Sequence, residues 1–168
     1  MRQAAAFLAF LLAVFAAAGV GGYFTGPAVR DWYPALAKPS WTPPAWVFGP
    51  VWTTLYVMIA TSGFLAWRKS GLAGAKWTFV LFAAQLVLNA AWSWVFFGLR
   101  QPGWAFAEIV VLWATILATT IALLRVTRPA GLLFVPYLLW TTYAAALNFA
   151  IWRMNRPGIL EAATAPSL

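Results

Sequence analysis

The sequence predicts an all-α integral membrane protein, a bundle of five transmembrane helices. Of its 168 residues, 64% are hydrophobic and only 8% are charged, whereas a soluble domain carries about 25% charged residues. Five apolar segments each reach about 20 residues, the length that a helix needs to cross a hydrocarbon core of about 30 Å. The segments are too long and too uniformly apolar for barrel strands, and in lipid only a helix satisfies such a backbone internally.

The predicted spans form a single domain over residues 1–154 and run over residues 4–24, 46–67, 77–97, 104–124 and 130–152. Nearly every span ends at a Trp or a basic residue, which is typical of anchoring at the membrane interface. The first span has an alternative interpretation, because the apolar run and the small residues Ala16 to Ala18 resemble a secretory signal with its cleavage site. The run is longer than a usual signal core, which favours a retained span.

The first connection, residues 25–45, is the long one. It holds five prolines together with Trp32, Tyr33 and Trp41, so we expect a stiff loop that folds back onto an apolar surface. It is interpreted either as a loop in the headgroup layer or as a lid over a cavity in the bundle. The tail, residues 155–168, is predicted to be disordered.

The composition excludes several kinds of chemistry. The chain has no Cys and no His, and its only carboxylates are Asp31, Glu108 and Glu161. Thiol and imidazole catalysis, hydrolytic triads and the usual transition-metal sites are therefore not expected, and we predict no catalytic residue, no metal and no required cofactor.

The net charge of +8 does not indicate a nucleic-acid-binding protein, because the basic residues occur singly or in pairs along the chain. In a membrane protein such residues lie at span ends, against lipid headgroups. Six would lie on one side of the membrane and five on the other, a difference too small to set the orientation.

Polar residues inside a span are costly and are rarely without a role. Gln85 and Asn89 lie four residues apart in the third span, and Trp92 and Phe96 continue the same helical face. This polar and aromatic stripe is interpreted either as hydrogen bonding between helices or as one wall of a ligand site.

Glu108 lies one helical turn after Trp104. The simpler interpretation is an ion pair with Arg100 at the end of the fourth span; the alternative is an acid that faces a ligand or handles protons.

Two further aromatic positions suggest a slot for a flat apolar ligand. Trp52 shares a face with Tyr56 in the second span, and in the fifth span small Ala144 leaves room beside Trp140, with Leu147 on the same face. Packed core or contact with lipid is the alternative for such stripes.

Several sequence blocks resemble the translocator protein family, also called tryptophan-rich sensory protein or TspO/MBR. They are KPSWTPP at residues 38–44, WVFGPVW at 46–52, QLVLNAAW at 85–92, PYLLW at 136–140 and LNF at 147–149. The blocks occur in order and extend over nearly the whole chain.

The resemblance implies a five-helix bundle whose cavity opens under the first loop and binds porphyrins such as protoporphyrin IX, and in many members sterols or benzodiazepine-type ligands. Carried over by position, and with Gln85 added from the polar stripe, the expected ligand-binding residues are Tyr33 and Pro43 in the lid and Trp52, Gln85, Asn89, Trp92, Trp104, Ala107, Trp140, Ala144 and Leu147 in the bundle. The low charge and the Ala-rich, Trp-rich spans suit a bacterial cell envelope and do not distinguish an inner from an outer membrane. The lipid bilayer is an expected partner, and a homodimer is a further expectation. The expectation of a dimer is weakened because Val80 and Ala84 replace the glycine pair of relatives. The expectation of sterol binding is weakened because Phe149 stands where the animal motif has Tyr.

The expected function is a membrane receptor, sensor or carrier for a porphyrin. With no His or Cys, metal-free porphyrin is favoured over ligated haem, and Arg30 or Lys38 is the hypothetical partner of its propionates. The alternative is an enzyme-like role, in which cavity tryptophans take part in light-dependent porphyrin breakdown. A conventional transporter is disfavoured because the sequence shows no internal repeat.

Overall fold

The structure, a computed structural model, describes residues 1–156 and is all-α over that range. Five long helices follow one another: α1 (Arg2–Asp31), α2 (Ala45–Gly74), α3 (Lys76–Ser93), α4 (Pro102–Val126) and α5 (Arg128–Met154). All five are long and apolar enough to cross a membrane, with α3 continuing through Gly98. The predicted fold class and the number of spans are confirmed.

The first helix is longer than predicted. α1 continues through Pro27 to Asp31, so the first loop covers residues 32–44 rather than 25–45 and contains a single 3₁₀ turn at Tyr33–Ala35. Ala28 is buried and accepts a hydrogen bond from the Trp32 amide. Tertiary packing therefore extends the helix past Pro27.

The third helix ends in a π-helical turn, Trp94–Gly98, closed by a 2.8 Å bond from the Leu99 amide to the Trp94 carbonyl. Arg100 follows with a φ of 55°, the left-handed conformation that commonly terminates helices. Phe96 lies within the π turn and is buried beneath the first loop. Turns of this kind are frequent at functional sites.

The helices pack around two adjoining apolar clusters. The larger one fills the bundle and includes Val14 of α1, Ile59 of α2, Phe82 of α3, Ile116 of α4 and Phe134 of α5. The smaller one lies under the first loop and consists of Phe96, Ala105, Leu147 and Ile151, with aromatic side chains of the loop packed against it.

The predicted tail begins with an ordered residue. Asn155 is hydrogen-bonded to the first loop, so the expectation of disorder is wrong at this position. The remainder of that prediction, from residue 157 onward, lies outside the described residues.

Candidate ligand-binding site

A buried hydrogen-bonded triad joins three helices in the bundle. The Asn89 side chain of α3 accepts a 3.1 Å hydrogen bond from the Tyr56 hydroxyl of α2 and donates one of 3.1 Å to the Tyr137 hydroxyl of α5. Asn89 and Tyr137 are buried, and Tyr56 is partly buried. We call these three residues the tyrosine–asparagine triad.

Aromatic side chains continue from the triad toward the loop. Trp52 stacks on Tyr56 with ring centroids 5.2 Å apart and meets Tyr137 edge-on at 6.2 Å. Trp140 of α5 contacts Phe48 of α2 edge-on at 6.0 Å. The two tryptophans of the predicted slot thus lie on α2 and α5, helices that pack against each other.

Trp92 was expected to line a cavity, whereas in the structure its indole N–H is hydrogen-bonded to a residue of another helix. Its indole N–H donates to the Asn148 side-chain carbonyl at 3.0 Å, and the Asn148 amide donates to the Pro102 carbonyl at 2.8 Å. Its ring stacks on Phe96 at 5.1 Å. Trp92 therefore ties α3 to α5 and to the start of α4. The sequence analysis names Asn148 only as part of the LNF block and not as a site residue. Its amide lies inside a predicted span, where polar groups are costly, and this is the signal that could have identified the network.

Gln85 lies in the core with no exposed surface. Its amide donates to the Phe82 carbonyl at 2.9 Å, while its side-chain oxygen has no hydrogen-bond partner among the described residues. Ala144 packs against the larger cluster, one turn from Trp140, and Leu147 belongs to the smaller cluster.

The first loop folds back onto the bundle and is held there by two sets of bonds. The Asn155 side chain accepts from the Ala37 amide at 3.0 Å and donates to the Ala37 carbonyl at 2.9 Å. The Tyr143 hydroxyl donates to the Trp41 carbonyl at 2.8 Å, and the two rings meet edge-on. Since Tyr143 lies within α5 and Asn155 is its C-cap residue, the loop is fastened to that helix.

The two lid residues differ in their contacts. Tyr33 packs against Phe96 and Phe97 of the π turn, and burial together with the neighbouring Tyr143 raises the pKa of the Tyr33 hydroxyl, so that group is neutral at pH 7. Pro43 is half-buried just before α2.

Lys38 is hydrogen-bonded to the first loop itself. Its ammonium group donates to the carbonyls of Tyr33, Pro34 and Leu36 at 2.7–3.1 Å. All three N–H donors of a lysine are thereby used, so Lys38 would have to give up loop carbonyls to bind a propionate, and its role as a propionate partner stays a hypothesis. Arg30, the other candidate, is exposed in the last turn of α1.

Trp104 and Ala107 lie apart from the Trp52 side of the bundle. Both are exposed, Trp104 to 74%, and they line a groove of about 460 Å³ between the end of α3 and the start of α4. We call it the α3–α4 groove; it is lined by Val95, Leu99, Gln101, Trp104, Ala107, Glu108 and Val111. The expected set of ligand-binding residues is therefore divided between the bundle and this groove.

Glu108 does not form the expected bond to Arg100. Both carboxylate oxygens are buried, and neither has a hydrogen-bond partner among residues 1–156. Arg100 is exposed and belongs to the left-handed turn after α3. The spacing of Arg100 and Glu108 in the sequence suggested an ion pair, but it does not reveal the left-handed backbone conformation at Arg100.

Within residues 1–156, no group of three His, Cys, Asp or Glu side chains is placed to hold a metal ion. The functional groups inside the bundle are aromatic rings, side-chain amides and tyrosine hydroxyls. Such a set suits the binding of a flat apolar molecule with a few polar groups at its edge.

Comparison with known proteins matches residues 9–153 to the model of the TspO/MBR family. Tryptophan-rich protein TspO of Chlorobaculum tepidum is 43% identical over 155 residues, covering 88% of this chain and 95% of the relative. The human Translocator protein is 39% identical over 150 residues, which cover 88% of this chain and 89% of the relative. The Tryptophan-rich sensory protein of Cereibacter sphaeroides is 40% identical over 151 residues, which cover 90% of this chain and 92% of the relative.

Proposed function

Because the chain belongs to the TspO/MBR family, we propose that it is a multi-pass membrane receptor or sensor whose ligand is a metal-free porphyrin or a similar flat hydrophobic molecule. The ligand binds beside the tyrosine–asparagine triad, between α2 and α5 and below the first loop. The observation that carries the proposal is the position of Trp52, which contacts both tyrosines bonded to Asn89, with Trp140 on the neighbouring helix α5.

The chemistry of a porphyrin suits these groups. A conjugated macrocycle gains from stacking on or meeting the edge of an indole, at about 0.5–1.5 kcal/mol per aromatic pair beyond area burial. Trp52 and Trp140 supply two such rings, and small Ala144 one turn from Trp140 leaves space beside its ring. Asn89 supplies a polar group in a segment where few are present.

The ligand would enter from the side of the first loop. Its carboxylates need a cation near that mouth, and Lys38 is already engaged with three backbone carbonyls. Arg30, exposed at the end of α1, is the other candidate. Entry requires the loop to leave α5, and its exposed bonds to Asn155 and Tyr143 are of the kind that water replaces at modest cost.

The test is a titration of purified full-length protein with protoporphyrin IX in the dark, followed by porphyrin absorbance. We expect saturation near one ligand per chain and about fivefold weaker binding by the Trp52→Phe plus Trp140→Phe double variant, because two stacking surfaces of about 1 kcal/mol each are reduced and not removed. Trp77→Phe is the matched control, since Trp77 is 74% exposed on α3. Non-saturating binding that the double variant leaves unchanged would contradict the proposal.

A second function, light-dependent porphyrin breakdown, is favoured by one specific observation. Trp52, Tyr56 and Tyr137 form a continuous series of rings 5.2–6.2 Å apart, and indole and phenol groups are oxidisable donors close to the proposed ligand. Illumination of the complex in the presence of oxygen distinguishes the two functions. A receptor leaves the porphyrin unchanged relative to porphyrin in detergent, whereas a degrading protein produces defined products at a rate that falls in Trp52→Phe.

A further inference from the structure

Both oxygens of the Glu108 carboxyl group are buried without a hydrogen-bond partner among residues 1–156. An isolated ionised group away from water is strongly unfavourable, so buried charges in proteins are normally paired or bind ions. An ionisable residue inside a membrane span also marks a functional site by default. The other helices place no hydrogen-bond donor against this carboxylate.

The surroundings of Glu108 have the shape and chemistry of a ligand site. Glu108 lines the α3–α4 groove of about 460 Å³, whose other lining residues are aliphatic or aromatic apart from Gln101. Trp104, one turn before Glu108, exposes 74% of its surface, and an indole face attracts cations. The π turn contributes Val95 to the opposite wall.

We propose that the α3–α4 groove is a second ligand site, which binds a hydrophobic ammonium ion with its aromatic or aliphatic body against Trp104 and its charge on Glu108. The site is independent of the porphyrin proposal, since it uses neither Trp52 nor Trp140. Glu108 lines the groove with its carboxylate oxygens buried, so binding of the ammonium group requires this side chain to turn toward the groove.

The occupant is a free amphipathic amine rather than the headgroup of a lipid. Glu108 lies six residues into α4 from Pro102, which places it about 9 Å along the helix from its start at 1.5 Å per residue. The ammonium group of a phospholipid is held at the headgroup layer, outside the hydrocarbon core. A small amine with an apolar body is free to enter to the depth of Glu108.

The experiment compares two probes of the same shape, 2-(1-naphthyl)ethylamine and 2-(1-naphthyl)ethanol. The alkylamine is protonated at pH 7, as a lysine is, and the alcohol is neutral. Full-length protein in phosphatidylcholine nanodiscs is dialysed against each probe, with empty nanodiscs to subtract partitioning. We expect saturable binding of about one amine per chain, about tenfold or more tighter than the alcohol, which corresponds to one charge-assisted hydrogen bond.

Variants assign the preference to Glu108. Glu108→Gln keeps the shape and removes the charge, so the amine should then bind no better than the alcohol. Asp31→Asn removes an exposed acid at the end of α1 and should leave the preference unchanged. Ala107→Phe fills the groove and should weaken binding of both probes, which keeps the test decisive if Glu108→Gln unfolds.

Three results would overturn the proposal. The amine and the alcohol bind equally to the natural sequence, or the preference survives Glu108→Gln, or Ala107→Phe leaves both affinities unchanged. Nanodiscs that contain phosphatidylethanolamine test the occupant, since competition by this lipid would assign the groove to a headgroup amine and reject the free ligand. The porphyrin titration tests Trp52 and Trp140 and is measured separately, so failure here and failure of the proposed function are distinguishable.

Discussion

At the scale of single residues, Asn89 has the most consequential position in the bundle. Its amide has both an acceptor and donors, and the structure uses one of each to join α2 and α5 through two tyrosine hydroxyls. A hydrophobic residue at this position would leave both hydroxyls to find other partners in a medium that offers few. The polar stripe of α3 therefore holds helices together and also presents polar groups beside the proposed ligand, so the two interpretations of the stripe are compatible.

Replacing Asn89 with Leu is expected to destabilise the protein by about 1–2 kcal/mol, because interhelical hydrogen bonds in membranes are worth about 0.6–1.7 kcal/mol each. Thermal denaturation in detergent measures the effect. Tyr56→Phe removes one of the two bonds and should cost about half as much. Gln101→Leu is the control, since Gln101 is an exposed amide before α4, and a variant Asn89→Leu as stable as the natural sequence would show that the triad contributes nothing to the fold.

At the scale of elements, α4 and α5 form a tight antiparallel pair with only Thr127 between them. The pair depends on Gly131, because a Cβ atom added there would collide with both the side chain and the backbone nitrogen of Leu124. Small residues permit such close approach of helices, which in lipid replaces the hydrophobic driving force available in water. Pro129 in the first turn of α5 is compatible with the helix start, where its missing N–H has no helical acceptor.

Gly131→Ala is expected to destabilise the protein by about 1–3 kcal/mol through overpacking against backbone that cannot move away. Gly19→Ala is the matched control, because an added Cβ at Gly19 of α1 meets nothing within 4 Å, and alanine is the better helix former by about 1 kcal/mol. Melting temperatures should therefore fall for the first variant and stay level or rise for the second. Equal effects at both positions would mean that the α4–α5 approach is not constrained as the geometry indicates.

At the scale of the whole molecule, five membrane-crossing helices place the start of α1 and the end of α5 on opposite sides of the bilayer. The α2–α3 and α4–α5 connections lie on the side where α1 begins, and the first loop lies on the side where α5 ends. This arrangement explains how Asn155, after α5, reaches Ala37 in the first loop. The basic residues are divided six to five between the sides, so charge alone gives little preference for one orientation.

The arrangement predicts which positions a membrane-impermeant thiol reagent reaches from one side of sealed vesicles. The natural sequence contains no cysteine, so single introduced cysteines are labelled without background. Gln3→Cys and Ala73→Cys should be labelled from the same side, and Ser40→Cys and Arg156→Cys from the other. Labelling of Gln3→Cys and Ser40→Cys from one common side would show that α1 does not cross the membrane.

The fold class and the five spans follow from the sequence, because composition, segment length and the need to satisfy the backbone in lipid leave only this solution. It also indicated the inward face of α3 from the spacing of Gln85 and Asn89. Four features depend on packing between distant segments: α1 runs to Asp31, Lys38 bonds carbonyls of the first loop, Trp104 lines a separate groove, and Glu108 has no bond to Arg100. The reason is physical: helix formation follows from local periodicity, whereas these contacts depend on how distant segments pack, and Asn89 meets partners 33 and 48 residues away.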